Sequence, residues 1–221
     1  MFHGKPSGDG VDRAALRVGI DLTPLQRTQL SRLGEWLATE AVDAGGIGPA
    51  EEARLTDRHL ADSIVFAAAW SDEPSTILDV GSGVGLPGIP LAVLYPDAAV
   101  TLLDRSGERC RLARRVVRVV GLENVAVDQR DALQMGGTWD AVTFRASLRP
   151  IDALTSALPI LSERGCAVIG LSRSVEPADV PPAPAGAAVD LLEIDEGVLD
   201  SPAWLLRMTR ANPRDLDRDT S

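Results

Sequence analysis

The chain has 221 residues, 45% of them hydrophobic and only 4% aromatic, which allows one domain of ordinary size with an aliphatic core and room for an additional segment. Its formal net charge is −10 and Lys5 is its only lysine, a balance that argues against holding nucleic acid by broad electrostatic attraction. No apolar run reaches the ~18 residues of a membrane span, and the polar, glycine-rich residues 1–10 hold no signal-like segment, so a cytoplasmic, membrane-free monomer is expected.

Residues 1–10 read as disordered and 11–18 as a short helix. Thr23 before Pro24 is an N-cap and first-turn pair, and Leu25, Leu30, Leu33, Trp36 and Leu37 follow at near-helical spacing up to the glycine cluster at 45–48. A further helix is predicted over 49–70, making residues 1–70 a helical segment. A core follows over 71–211, and residues 212–221 read as a flexible tail. Within the core, strands are predicted at 75–80, 98–103, 125–127, 139–144 and 166–171. Helices are predicted at 86–95, 107–120 (with Gly121 as its stop) and 151–161. A Pro/Ala-rich loop over 176–186 then leads to a closing pair of strands at 189–194 and 204–209. Strands alternating with helices give a doubly wound α/β fold with a parallel sheet, whose ligand lies beyond the carboxyl ends of the strands. Cys110 and Cys166 have no metal-ligand spacing and read as buried small hydrophobes.

The first strand runs into Asp79-Val-Gly81-Ser-Gly83-Val-Gly85-Leu86-Pro-Gly88. Such a turn lets backbone N–H groups approach an anionic group at a helix start. The string G-x-G-x-x-G at Gly83, Gly85 and Gly88 stands two residues late for a dinucleotide. The frame at Gly81, Gly83 and Gly85, with Asp79 in the strand end, suits S-adenosylmethionine better. Asp79 is expected to meet that cofactor's ammonium group, directly or through water. Asp104, at the end of the second strand, is placed to accept from both ribose hydroxyls. Asp131, before Ala132 at the end of the third, is placed to accept from the adenine amino group. Either acid alone could be a turn residue; three acids at three successive strand ends favour a nucleoside site of the class I methyltransferase (Rossmann-like) type.

The segment 79–90 (Asp-Val-Gly-Ser-Gly-Val-Gly-Leu-Pro-Gly-Ile-Pro), followed by Leu-Leu-Asp-Arg-Ser-Gly-Glu-Arg at 102–109, resembles the bacterial small-subunit rRNA methyltransferase G family, also called glucose-inhibited division protein B. Arg-His-Leu-Ala-Asp-Ser at 58–63, Gly-Leu-Glu-Asn at 121–124 and Phe-Arg-Ala at 144–146 extend the resemblance, which covers roughly residues 25–170. It implies transfer of a methyl group from S-adenosylmethionine to N7 of a guanine in 16S rRNA, on naked RNA or the small ribosomal subunit. It also implies Gly81, Leu86, Asp104, Asp131, Ala132 and Arg145 as cofactor positions, and Arg58, His59 and Arg130 as residues that face the RNA. The chain departs from the family at Glu108, where a basic residue is usual, at Ala132, where a Glu is usual, and at Leu171, where a Lys-Gly pair is missing. It reads as a divergent member.

Guanine N7 carries a lone pair and no proton, so its methylation needs placement rather than a base. The chain offers no base dyad: His3 stands in the terminal segment and His59 in a helix. Arg145, after the fourth strand, is the expected catalytic residue, fixing the base through O6 or a phosphate; the competing structural role is an ion pair with Asp140. Arg149 and Arg164 read as surface charges. With Arg58, Arg130 and Arg145 as the main phosphate partners and Arg54 or Arg149 as further candidates, RNA binding should show a shallow salt dependence, a log–log slope of about −2 to −4. Two readings of other kinds stay open: a methyltransferase acting on a protein or small molecule, and a non-catalytic relative that keeps the cofactor fold.

Overall fold

The computed structural model describes residues 9–41, 59–171, 180–199 and 201–211. The first helix, α1, covers Asp9–Arg17, so residues 9 and 10 belong to it rather than to a disordered start. Helix α2, Pro24–Trp36, begins as the Thr23-Pro24 pair predicts. The Thr23 hydroxyl accepts from the Gln26 backbone N–H, and the Gln26 side chain accepts from the Thr23 N–H, a reciprocal cap that satisfies two donors a helix start leaves unpaired. A π-helical turn, Leu37–Ala41, extends it. Of the helix predicted over 49–70, residues 59–70 are described, with Trp70 already extended. They form a short α3, Leu60–Ile64, that tightens into a 3₁₀ turn, Val65–Ala69.

Five strands follow with helices between them: β1 (Thr76–Val80), α4 (Gly88–Leu94), β2 (Ala99–Asp104), α5 (Gly107–Val120), β3 (Val125–Gln129), β4 (Trp139–Arg145), α6 (Pro150–Ala157) and β5 (Leu161–Gly170). Gly121 ends α5 in the left-handed region, at φ 77°, as a C-terminal glycine should. The strand β5 starts five residues before its predicted beginning, because Ser162, Glu163 and Arg164 are polar and hide the extended run. β6 (Ala187–Ile194) and β7 (Ala203–Arg210) close the sheet as an antiparallel pair.

The strand order is β3-β2-β1-β4-β5-β7-β6. β1 to β5 run parallel, and β7 lies antiparallel between β5 and β6. The chain moves outward from β1 to β3 and then crosses back to β4, so strand order reverses between β1 and β4. Such a reversal opens a crevice at the carboxyl ends of the two strands. The helical front is not a free-standing appendage. Val11, Ala14, Leu33, Leu37 and Ile64 share one buried cluster with Ile77, Ile89, Val100 and Val116 on one face of the sheet. Phe144, Leu78, Leu154 and Leu206 build a second cluster on the face covered by α6. Cys110 and Cys166 are buried free thiols, as expected. Among the described residues no helix is long and apolar enough to cross a membrane.

Candidate active site

The crevice begins with the glycine turn after β1. The Gly81 and Ser82 N–H groups both donate to the Leu103 carbonyl, at 2.7 and 3.0 Å, which folds the turn back over the end of β2. Gly81 sits at φ 69° and its virtual Cβ would stand 2.3 Å from the Ser147 side chain, so the loop after β4 leaves room for no other residue. Gly83, at φ 58°, faces open space. Gly81→Ala should therefore destabilise the fold by about 2–5 kcal/mol, adding overpacking to the left-handed backbone cost. Gly83→Ala should cost only about 1–2 kcal/mol, the backbone contribution alone. Urea unfolding of the two variants checks this; equal losses would contradict the Ser147 contact.

Asp104 is 4% exposed and ties two loops together. Its Oδ2 accepts from the Gly83 N–H at 3.0 Å and its Oδ1 from the Ser106 N–H at 2.8 Å, with Arg109 Nη1 3.8 Å from Oδ2. A carboxylate has about four acceptor sites, so each oxygen keeps capacity for a ligand hydroxyl. Asp131 acts as a turn residue. Its carboxylate accepts from the Leu133 N–H at 2.9 Å and caps the 3₁₀ turn Ala132–Gln134. Leu86 is half-buried against the core beside the turn. Arg130 lies at the same rim, its N–H bonded to the Asp104 carbonyl and its guanidinium 3.3 Å from Asp128.

Asp79 differs from its expected role. It is fully buried, its Oδ2 accepts from the Gly88 N–H at 2.8 Å and its Oδ1 from the Thr143 hydroxyl at 3.1 Å. It ties β1 to the start of α4 and to β4 and does not open on the crevice. Burial pushes its carboxyl from 3.8 up to about 7, against the opposing pull of the Gly88 and Thr143 hydrogen bonds and of the nearby Arg145.

Arg145 ends β4 at the crevice. Asp140, its expected structural partner, is at the other end of the strand, where it accepts from Ser75, Thr76 and Ser162. Arg145 instead reaches the helical front. Its Nη1 donates to the Ser63 hydroxyl at 2.8 Å and to the His59 carbonyl at 3.3 Å, and its Nη2 stands 2.8 Å from His59 Nδ1. A guanidinium only donates, so Nδ1 accepts and the imidazole proton sits on Nε2. Ser63, fully buried, donates in turn to the His59 carbonyl at 2.6 Å. Arg58 lies outside the described residues. Arg149 and Arg164 are surface charges paired with Asp152 and Asp72.

Thr143, Ser63, Ser82 and Ser147 were not singled out in the sequence. Only Ser63 carried a signal, four residues after His59 and therefore one helical turn along. The Ser82 and Ser147 hydroxyls are buried without a partner on either side of Gly81. Unsatisfied buried hydroxyls beside a glycine turn are what a polar ligand would complete. The residues present thus fit a nucleoside linked to an amino-acid group: Asp104 for ribose, the two hydroxyls for the polar end. A cavity of about 290 Å³ bounded by Trp70, Asp140, Cys166 and Arg207 lies instead at the amino ends of the strands. Ligands of such sheets lie at the carboxyl ends, so the glycine-turn crevice is the candidate site.

The family model for rRNA small subunit methyltransferase G matches residues 26–172, most of the chain. This protein belongs to that family. It is 32% identical over 208 residues to Ribosomal RNA small subunit methyltransferase G of Frankia casuarinae, covering 89% of this chain and 78% of that one. It is also 32% identical, over an alignment 230 positions long, to the protein of the same name from Rhodococcus jostii, covering 97% of this chain and 98% of that one. Among solved structures, a SAM-dependent methyltransferase from Aquifex aeolicus superposes with a TM-score of 0.51 at 19% identity, over 66% of this chain and 88% of that one. The fold is that of the S-adenosylmethionine-dependent methyltransferases.

Proposed function

We propose that this protein transfers a methyl group from S-adenosylmethionine to N7 of a guanine in 16S rRNA. The observation that carries it is the meeting, at the β1/β4 reversal, of a glycine turn anchored on the Asp104 carboxylate with an arginine held from the opposite side by His59 and Ser63, in a chain of this family. Bound S-adenosylmethionine supplies a methyl group activated by its sulfonium. Asp104 would hold its ribose, and Ser82 and Ser147 would complete its amino-acid end. The rim at Asp131 and Ala132 borders the adenine. Arg145 would orient the guanine through O6 or a neighbouring phosphate, holding N7 towards the crevice as methylation without a base requires. N7 has no proton to lose, and His59, whose Nδ1 is engaged by Arg145, acts by holding that arginine rather than as a base.

The test is methyl transfer to small subunits from a strain lacking this gene, followed by borohydride reduction and aniline, which together cut RNA at N7-methylguanosine. A single new cleavage in 16S rRNA is expected. Methyl incorporation without such a cleavage would contradict N7, and incorporation only into protein would overturn the RNA reading. For the cofactor site, Asp104→Ala should weaken S-adenosylhomocysteine binding by about 1–3 kcal/mol, read by calorimetry; unchanged affinity would remove Asp104 from the site.

A further inference from the structure

The sequence offers Arg58, Arg130 and Arg145 as RNA-facing cations, with Arg54 or Arg149 beside them. The structure shows another group. Helix α5 carries five arginines against one acid, Glu108, in a chain with ten more acidic than basic residues. Its inner face is Cys110, Ala113, Val116, Val117 and Val120, which seats it on β2 and β3. That seating leaves Arg111, Arg114 and Arg118 exposed on the outer face. They follow each other at three- and four-residue spacing, so they stand in one row with neighbours about 5–6 Å apart.

Among the described residues, carboxylates reach two of the five arginines. Arg115 pairs with Glu40 at 2.7 Å, and Arg109 approaches Asp104. Among the described residues no carboxylate pairs with Arg111, Arg114 or Arg118; Arg114 donates to the Val127 carbonyl at 3.2 Å. Like charges at four-residue spacing oppose the helix. An external anion lying along the row would relieve that repulsion. The row also starts beside the crevice: Ser106, two residues after Asp104, caps α5, and the exposed Arg105 and Arg130 flank that end.

We infer that the outer face of α5 is a docking surface for the phosphate backbone of the RNA whose guanine enters the crevice, an inference that rests on the proposed function. Arg111, Arg114 and Arg118 then hold successive phosphates while Arg105 and Arg130 lead the strand to the site. All are arginines, whose planar forks match phosphate oxygens in pairs. Three further contacts at ~0.7–0.9 each steepen the expected salt slope from about −2 to −4 to about −4 to −7.

The test compares wild type, the triple variant Arg111→Gln, Arg114→Gln and Arg118→Gln, and a control carrying Arg164→Gln. Filter binding to transcribed 16S rRNA and to unmodified small subunits is read across a salt series, with methyl transfer and S-adenosylhomocysteine binding measured in parallel. The triple variant is expected to bind RNA about tenfold to a hundredfold more weakly at 0.1 M salt, with a slope shallower by about 2–3. Its S-adenosylhomocysteine affinity and its transfer rate at saturating substrate should equal those of wild type, and the control should match wild type throughout. A triple variant with wild-type affinity and slope overturns the docking surface while leaving the methyltransferase reading in place. Wild-type protein that binds RNA through α5 yet transfers no methyl overturns the reaction and leaves the surface standing. Wild-type protein that ignores RNA at every salt overturns both.

Discussion

Arg145→Ala is expected to lower methyl transfer to small subunits by about 10²–10³-fold while the protein stays folded. The side chain ends β4 at the crevice and is locked from behind by the Ser63 hydroxyl and His59 Nδ1. It therefore presents a fixed guanidinium at the place where the proposed reaction needs the base aligned. Loss of these bonds also loosens the seam between the helical front and the sheet, at a cost of about 1–3 kcal/mol. Single-turnover transfer at saturating cofactor and subunits, normalised to folded protein by circular dichroism, separates the two effects. Arg145→Lys should rescue little, because an ammonium cannot reproduce the paired contacts to Ser63 and His59. If the loss of transfer only tracks the loss of folded protein, Arg145 is a structural tie and not a catalytic residue. Ser63→Ala serves as the milder companion. It should lower transfer less than Arg145→Ala and be silent in S-adenosylhomocysteine binding, as befits a positioning residue.

The Asp79→Asn variant should become progressively more stable than wild type as pH rises. Folding buries this carboxyl and lifts it from 3.8 to about 7, so the folded state favours the protonated form. The stabilisation from that proton is complete below the unfolded value near 3.8. It is lost as pH rises through about 7, where the carboxylate forms in a fully buried place. The whole change corresponds to about 4 kcal/mol. An asparagine keeps an acceptor for the Gly88 N–H and a donor towards the Thr143 hydroxyl, and it does not ionise. The stability difference between variant and wild type should thus grow by about 3 kcal/mol from pH 5 to pH 8, measured by urea unfolding in matched buffers. A difference that stays constant over that range would show that Asp79 is ionised at all these values, held by its two hydrogen bonds.

Much of the fold follows from local rules. The Thr23-Pro24 start of α2, the span of α5 and its Gly121 stop, and the glycine turn after β1 depend on residues a few positions apart, so periodicity and capping chemistry are enough to place them. The proposed nucleoside side of the site is of the same kind: strand polarity alone puts Asp104 at the crevice, and its partners Gly83 and Ser106 lie on the adjoining loops.

What the chain alone left undetermined depends on partners far apart in sequence. Asp79 looks like a strand-end acid of the site. Its burial is decided by Thr143, brought to it across the β1–β4 pairing 64 residues on. Arg145 could have turned to Asp140, five residues back on its own strand. A strand separates those two by about 16 Å, and the packing of α3 against the sheet offers Ser63 and His59 instead. The row of arginines on α5 is written in the sequence, but only the burial of Cys110, Ala113, Val116 and Val117 decides which face is turned to solvent and how few carboxylates come near it. Local hydrogen bonding and periodicity fix the elements; which polar groups meet is set by packing, because desolvation and pairing are properties of a surrounding that the folded chain supplies only when distant segments close around it.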